Sequence, residues 1–369
     1  MRVYSAFVST TTGGKKMVGR KQNDKASQQI AEWNAVAHEL NLASGWYVAC
    51  GSKHVKKKVP TTLALFGQEF IAWRKANGSP TVTSAHCPHM GASLAKGSIA
   101  DGVIKCPFHH WRFDGNGTCV GTSTRSYSPA RARLHSLATE ERNGYVWVWF
   151  GSGRPSYPLP RMPLPDLGES SWGIYRLADF TNTTVRRILE NAYDPDHLVA
   201  LHGLTVNGDA QAENMTDADA ISEFGEVRLP EARFCVRLHW PAYNGLLGAV
   251  SNMLGMNGKE FELLVEGWPT CQYFIYRLDG KVQYRLILAT TPIGRNYTIQ
   301  HIAVSTNKSG RTIVDLLNYT AHRIEVMAAA KQDVPIFNTI RPDDYHGIYT
   351  RSDRALRNLR KFYQSWVAV

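Results

Sequence analysis

A chain of 369 residues, 43% of them hydrophobic, has enough material for two domains and a sizeable core. No apolar run reaches the roughly 18 residues of a membrane-spanning helix, and the first apolar stretch is too short for a secretory leader. The net charge of +11 would suit nucleic acid, but ten Lys/Arg against three Asp/Glu lie in 1–58 and five against one in 350–369; neither end carries a nucleic-acid-binding motif or interleaved stacking aromatics, so no nucleic-acid partner is expected.

In chain order, residues 1–28 are polar and rich in Gly and Lys, and Met17 offers an alternative start. Residues 27–42 read as a helix, giving a basic N-terminal extension over 1–43. From Gly45 the pattern changes to short β-strands: Trp46–Ala49, Thr62–Phe66, Glu69–Trp73, Thr81–Thr83, Val103–Lys105 and Tyr145–Phe150. These define a small all-β domain over 44–153. Five prolines in 151–168 read as a linker. Beyond 175 strands alternate with a few long helices, so 154–369 is expected to be α+β, with an antiparallel sheet. Residues 241–256 are apolar and Gly-spaced, and we read them as a wall or lid near a substrate entrance. Ile313, Leu316, Leu317, Ile324 and Met327 have helical spacing within 310–332.

The first chemistry lies in the β-domain. Cys87-Pro-His89 and Cys106-Pro-Phe-His109 are two mixed pairs, sixteen residues apart, each bounded by turn residues. A structural zinc site also uses two Cys and two His, but zinc fingers segregate the Cys pair from the His pair. One Cys and one His on each of two loops allow one iron to take both thiolates and the other both imidazoles, which is the ligand set of a Rieske [2Fe–2S] centre. His86 and His110 beside them read as loop histidines without metal. The remaining cysteines, Cys50, Cys119, Cys235 and Cys271, have no disulfide-framework spacing and read as reduced thiols of a cytoplasmic protein.

The second chemistry lies in Glu190-Asn-Ala-Tyr-Asp194-Pro-Asp-His197-Leu-Val-Ala-Leu-His202. His197, His202 and a carboxylate from elsewhere would form a facial triad for mononuclear Fe(II). On a regular helix two residues five apart point about 140° away from each other. The two imidazoles can therefore share a metal only where the helix is distorted. Taken alone they would read as a core pair; beside two electron-transfer loops the metal reading is favoured. Asp194-Pro is also a good N-cap and N1 pair. Asp333, at the end of the long helix, is the preferred carboxylate, with Asp315, Glu325, Asp343 and Asp344 as alternatives.

Cys106-Pro-Phe-His-His-Trp-Arg-Phe-Asp-Gly-Asn-Gly and the D-x-x-H-x4-H of 194–202 resemble the motifs of the Rieske non-haem iron oxygenases, from residue 44 onward. Gly45-Trp-Tyr-Val-Ala, Gly144-Tyr-Val-Trp-Val-Trp and Glu190-Asn-x-Tyr-Asp resemble the aminopyrrolnitrin oxygenase-like subgroup, whose reaction is arylamine N-oxygenation in natural-product biosynthesis. The resemblance implies a mono- or dioxygenase acting on a small apolar aromatic molecule with O2. It implies a [2Fe–2S] cluster on Cys87, His89, Cys106 and His109, and Fe(II) on His197, His202 and Asp333. It also implies a head-to-tail homotrimer in which Asp194 links His197 to the partner subunit's His109. C–H hydroxylation, demethylation or oxidative cyclisation of another hydrophobic substrate, including a sterol, stays open, as does a non-catalytic electron carrier. The chain has no dinucleotide fingerprint, so NAD(P)H acts through a separate reductase, directly or by way of a ferredoxin. The basic ends then offer a docking surface for an acidic donor.

Overall fold

The computed structural model describes residues 35–36, 38–123, 131–164, 172–204, 211–241, 258–307, 310–341 and 347–367. The apolar segment read as a lid lies outside them apart from Pro241, as do Asp343 and Asp344; of the expected N-terminal helix, residues 35, 36 and 38–40 are described and helical.

Eleven strands come first: β1 (Gly45–Gly51), β2 (Thr61–Leu65), β3 (Gln68–Arg74), β4 (Pro80–Ser84), β5 (Ser98–Ala100), β6 (Val103–Lys105), β7 (Arg112–Phe113), β8 (Cys119–Gly121), β9 (Ser136–Leu137), β10 (Thr139–Arg142) and β11 (Tyr145–Phe150). They form three antiparallel sheets, ordered β1-β11-β10, β2-β3-β4-β9 and β5-β6-β7-β8. The second half holds β12 (Trp172–Thr181), β13 (Gln211–Asn214), β14 (Phe234–Trp240), β15 (Phe261–Gly267), β16 (Cys271–Leu278), β17 (Lys281–Gly294) and β18 (Tyr297–Asn307). These make one antiparallel sheet, β12-β18-β17-β16-β15-β14-β13. Its helices are α1 (Val185–Glu190), α2 (Pro195–Ala200), α3 (Asp217–Phe224), α4 (Thr312–Phe337) and α5 (Arg354–Trp366). The class is α+β, as expected.

The two-residue period of a strand sends alternate side chains to opposite faces, and here both faces are used. On β11, Val146, Val148 and Phe150 enter one apolar cluster, while Tyr145, Trp147 and Trp149 enter another. The large sheet is split the same way. Leu263, Val265, Phe274, Leu286 and Ile302 face the helices; Leu264, Tyr273, Ile275, Ile287 and Ala303 pack with Trp46, Val48 and Trp147 of the first half. Strands buried on both sides read as unbroken apolar runs, which is why Tyr145–Phe150 stood out. Each large side chain so buried contributes roughly 1.5–3 kcal/mol.

The two halves therefore share cores. Backbone bonds reinforce the contact: Phe66 N–H donates to Pro292 O at 2.7 Å and Gly67 N–H to Ile293 O at 2.8 Å. The hydroxyls of Thr270 and Thr291 donate to the carbonyls of Trp46 and Val48. The proline-rich segment is packed rather than loose, with Tyr157, Leu159, Met162 and Leu164 buried in the shared cluster. A third, smaller cluster surrounds two of the chemical residues: Cys87 and Cys106 lie among Ile71, Trp73, Leu94, Ile104 and Phe113.

Candidate functional site

The two Cys/His loops are built alike. Cys87 N–H donates to Ala92 O at 2.9 Å, and Cys106 N–H donates to Trp111 O at 2.8 Å, each closing a loop five residues on. The fourth position after each Cys, Gly91 and His110, has positive φ, +73° and +54°. His110 thus serves the backbone turn and stays exposed, and His86 sits against Glu69 at 3.6 Å. This geometry puts both thiols inside and both imidazoles near the surface. Cys87 and Cys106 are 2% and 1% exposed. Burial pushes the Cys87 thiol up to about 11, with the Cys106 thiol beside it. The His89 and His109 rings lie 4.6 Å apart, and His89 stacks on Trp111 at 4.4 Å and 9°.

This arrangement suits a cluster better than a single zinc. A tetrahedral zinc with Zn–S near 2.3 Å needs all four donors within about 4 Å of one another. The four donors here divide instead into a buried thiol pair, Cys87 and Cys106, and an imidazole pair nearer the surface. A sulfur pair inside and an imidazole pair outside fit two irons bridged into a cluster.

One group among the described residues does converge on an ion-sized point: the ligand atoms of His197, His202 and Asp333 lie within 4.8 Å of one another. Asp194 starts α2 as its N-cap, its Oδ1 accepting from Asp196 N–H at 3.0 Å and His197 N–H at 3.3 Å, with Pro195 in the first turn. The helix then stops after six residues. Leu201 N–H returns to His197 O at 2.8 Å, and His202 N–H reaches back five residues to the same carbonyl at 3.4 Å. The chain is thus not a regular helix between the two histidines. Their rings come to 5.2 Å and 77° instead of pointing apart.

Each imidazole is tied at Nδ1. That of His197 meets the Asp194 main-chain carbonyl, and that of His202 meets Gln332 Oε1 at 2.8 Å. With Nδ1 so held in both, Nε2 is the nitrogen each ring has free for a metal. His202 Nε2 lies 3.2 Å from Asp333 Oδ1. Burial pulls His197 below its ordinary pKa, against the opposing charge of Asp333. Burial also pulls on His202, but its hydrogen bonds to Asp333 and Gln332 outweigh it, and the net direction is up. Two imidazoles and one carboxylate are the donor set of the mononuclear Fe(II) oxygenase site, and the residues present fit it.

The sequence reading missed Gln332. It neighbours Asp333 on α4, so one helical turn supplies both the carboxylate and the partner of His202. Such partners orient ligands and are typically worth 10–100-fold in metal affinity or activity. Gln332→Leu should loosen iron by about that factor in a chelator titration while the cluster's visible spectrum stays; unchanged iron retention would show that Gln332 is not needed.

The other carboxylates fall away from the group. Asp315 accepts from Gly310 N–H at 3.1 Å at the far end of α4, and Glu325 lies 3.6 Å from His322. Asp196 is exposed and accepts from Ser352 Oγ at 2.9 Å. Asp194 departs from expectation in one respect. Within the chain its carbonyl, not its carboxylate, meets the His197 ring, and Oδ2 has no hydrogen-bond partner among the described residues.

A pocket of about 930 Å³, counting its open mouth, lies over the group. His197, His202 and Asp333 line it together with Phe261, Leu263, Phe274, Leu286, Leu288 and Ile302 from the sheet, and Val326, Ala330 and Phe337 from α4. Tyr276 and Tyr284, stacked at 4.1 Å, form one wall. Among the described residues, no helix is long and apolar enough to cross a membrane.

Comparison with known proteins agrees with this chemistry. Residues 45–133 match the family model of the Rieske [2Fe-2S] domain. Over 355 residues the chain is 36% identical to aminopyrrolnitrin oxygenase PrnD of Pseudomonas fluorescens, covering 94% of this chain and 97% of that protein. It is 30% identical over 179 residues to the oxygenase component of a 3-ketosteroid-9-alpha-monooxygenase of Rhodococcus rhodochrous, covering 47% of each. In fold it is similar to dicamba monooxygenase bound to 3,6-dichlorosalicylic acid, with a TM-score of 0.68 at 17% identity, covering 89% of this chain and 97% of that one. NdmB of Pseudomonas putida CBB5 aligns with a TM-score of 0.67 at 17% identity, over 86% and 89%. The chain belongs to the Rieske non-haem iron oxygenases, and is an oxidoreductase whose cofactors are a [2Fe–2S] cluster and a mononuclear non-haem iron.

Proposed function

We propose that this chain is the terminal oxygenase of a multi-component system and oxidises an apolar aromatic or heteroaromatic small molecule, with arylamine N-oxygenation as its reaction. The observation that carries this reading is the pocket: aromatic and aliphatic walls line a cleft that opens onto His197, His202 and Asp333. Such a lining suits a ligand that is small and mostly apolar. The relative with 36% identity is named for the oxidation of an aromatic amine, which supports the reaction class.

Cys87, His89, Cys106 and His109 would hold the cluster, and His197, His202 and Asp333 the iron. The chemistry those groups supply when bound is one-electron transfer and O2 activation. What the chain itself does is bind, orient and exclude. Leu286, Leu288 and Ile302 keep water from the substrate face. Gln332 and the Asp194 carbonyl hold the two imidazoles in register.

Electrons come from a separate reductase, directly or through a ferredoxin, and the working assembly is a head-to-tail homotrimer. Support for a covering protein surface comes from the loop tips beside His89 and His109, where Met90 and Phe108 are 66% and 58% exposed. Asp194 would meet the partner subunit's His109 through Oδ2, leaving Oδ1 to cap α2. The carboxylate would then cap α2 and meet the partner subunit's His109, while the link to His197 runs through the Asp194 carbonyl. Asn retains an oxygen for the cap, so Asp194→Asn should keep fold and both metals yet nearly abolish turnover. Full turnover would remove the bridge. All six cysteines are buried and none forms a disulfide, which suits a reducing cytoplasm.

Turnover with a generic reductase against arylamines, indoles, pyrroles and sterols, read by product mass, tests the reading. Oxygen added at the amine of an arylamine is the expected result. Turnover confined to sterols would overturn it.

A further inference from the structure

Two glutamines break the apolar wall of the pocket. Gln272 on β16 is fully buried and Gln300 on β18 is 2% exposed, and both line the cavity. Register sets them on one face of the sheet. Gln272 stands opposite Leu288 on β17, and Gln300 opposite Thr290, two residues along the same strand. In both, the amide oxygen is left without a donor among the described residues. Gln272 donates Nε2 to Leu189 O at 2.7 Å, which fixes its orientation and turns Oε1 away from that partner. Oε1 of Gln272 and Oε1 of Gln300 both lack a hydrogen-bond partner among the described residues, and Gln300 makes no side-chain hydrogen bond there at all.

A buried acceptor without a donor costs stability, and native proteins rarely retain one. Leu, Val or Ile would fit these strand positions without that cost. Breaches of this kind are expected where function needs them. We propose that Gln272 and Gln300 determine substrate specificity: their side-chain amides receive the N–H group of the substrate. The pocket then selects a planar apolar molecule bearing an N–H donor, an aromatic amine or N–H heteroarene, over one of equal shape without it. The inference rests on the pocket being the substrate site, as proposed above. Sites built to hydrogen-bond a substrate reject the analogue that leaves their buried polar groups unpaired.

The test is equilibrium binding to the purified, metal-loaded oxygenase without reductase. The probes are 1-naphthylamine and 1-methylnaphthalene, which differ by an amino group against a methyl. The wild type should prefer the amine by at least about ten-fold. Gln300→Leu should erase that preference, bind 1-methylnaphthalene as well as or better than the wild type, and show a melting temperature no lower. Gln272→Leu should also lose the preference, with some stability lost through the Leu189 bond. Retention of the preference in both variants, an equal loss for both probes, or a lower melting temperature for Gln300→Leu would overturn the inference. Leu288→Trp separates the two layers: it fills the cavity and should exclude both probes. Were both still bound, the pocket would not be the substrate site, and the proposed function would fail first. Failure of the wild type to bind either probe would overturn both.

Discussion

Asp333→Ala should yield a protein that keeps its [2Fe–2S] cluster, carries about two irons per chain instead of about three, and turns nothing over. The carboxylate is the one charged member of the group. It lies on α4, far in sequence from both histidines, and its Oδ1 sits 3.2 Å from His202 Nε2. Its removal leaves two neutral imidazoles, a poor site for a hard divalent ion. The cluster loops should not register the change, because Cys87 and Cys106 sit in a separate small core. The fold should not suffer either. Asp333 is 9% exposed at the pocket wall and, among the described residues, makes no ion pair with a Lys or Arg. Iron by colorimetric assay, the cluster's visible spectrum and single-turnover product are the three readouts. A variant that still carries three irons would show that another residue supplies the third donor, and loss of the cluster as well would point to general misfolding. His197→Ala should behave alike, and the pair of variants would fix the ligand set.

Much of this was legible in the sequence, for identifiable reasons. Strands buried on both faces give unbroken apolar runs such as Tyr145–Phe150, and the Cys/His loops advertise themselves by spacing and turn residues. The need for a helix break between His197 and His202 follows from the helical repeat alone, and the structure supplies it at Ala200. What stayed hidden was orientation. On α4, of the apolar residues with helical spacing, Ile313, Leu316, Leu317 and Ile324 are 76%, 64%, 52% and 52% exposed, and Met327 is half-buried. The buried face instead holds His322, Glu325, Val326, Ala330 and Asp333, because it closes a pocket and not a dry core. Periodicity finds the helix but does not say which stripe faces inward when the inward stripe must be polar. Gln332, Gln272 and Gln300 were invisible for a related reason. A glutamine carries no signal until its neighbours are known, and those neighbours come from distant parts of the chain.

Glu190 opens the motif that leads to His197 and His202, and the structure gives it a physical role with a large expected effect. It ends α1, four residues before the cap of α2, and is 4% exposed. Arg360 of α5 grips it in a fork, Nε to Oε1 at 2.7 Å and Nη2 to Oε2 at 2.8 Å. Arg187 Nη1 lies 2.9 Å from Oε2 and Arg186 Nε 3.1 Å from Oε1. Three guanidinium groups thus converge on one carboxylate, joining the helix that leads into the metal group to the terminal helix. It follows that Arg360, though part of the basic C-terminal cluster, is committed inside the molecule and is not available to an electron donor. Glu190→Ala would leave positive charges together in low dielectric with their shared counter-charge gone, a change expected to cost about 3–5 kcal/mol. That is a large share of the roughly 5–15 kcal/mol by which a folded domain is stable. The half-exposed pair Glu140–Arg142, at 3.5 Å, is the control: Glu140→Ala should cost no more than about 1 kcal/mol. Denaturant melts would separate the two, and equal losses would show that burial does not govern Glu190. A double-mutant cycle with Arg360→Ala extends the test. If the damage is unpaired charge and not lost packing, removing Arg360 as well should restore part of the stability, so the double variant should be less damaged than the sum of its singles. A strictly additive cycle would mean that α1 and α5 are held by their apolar contacts, with Glu190 a passenger between them.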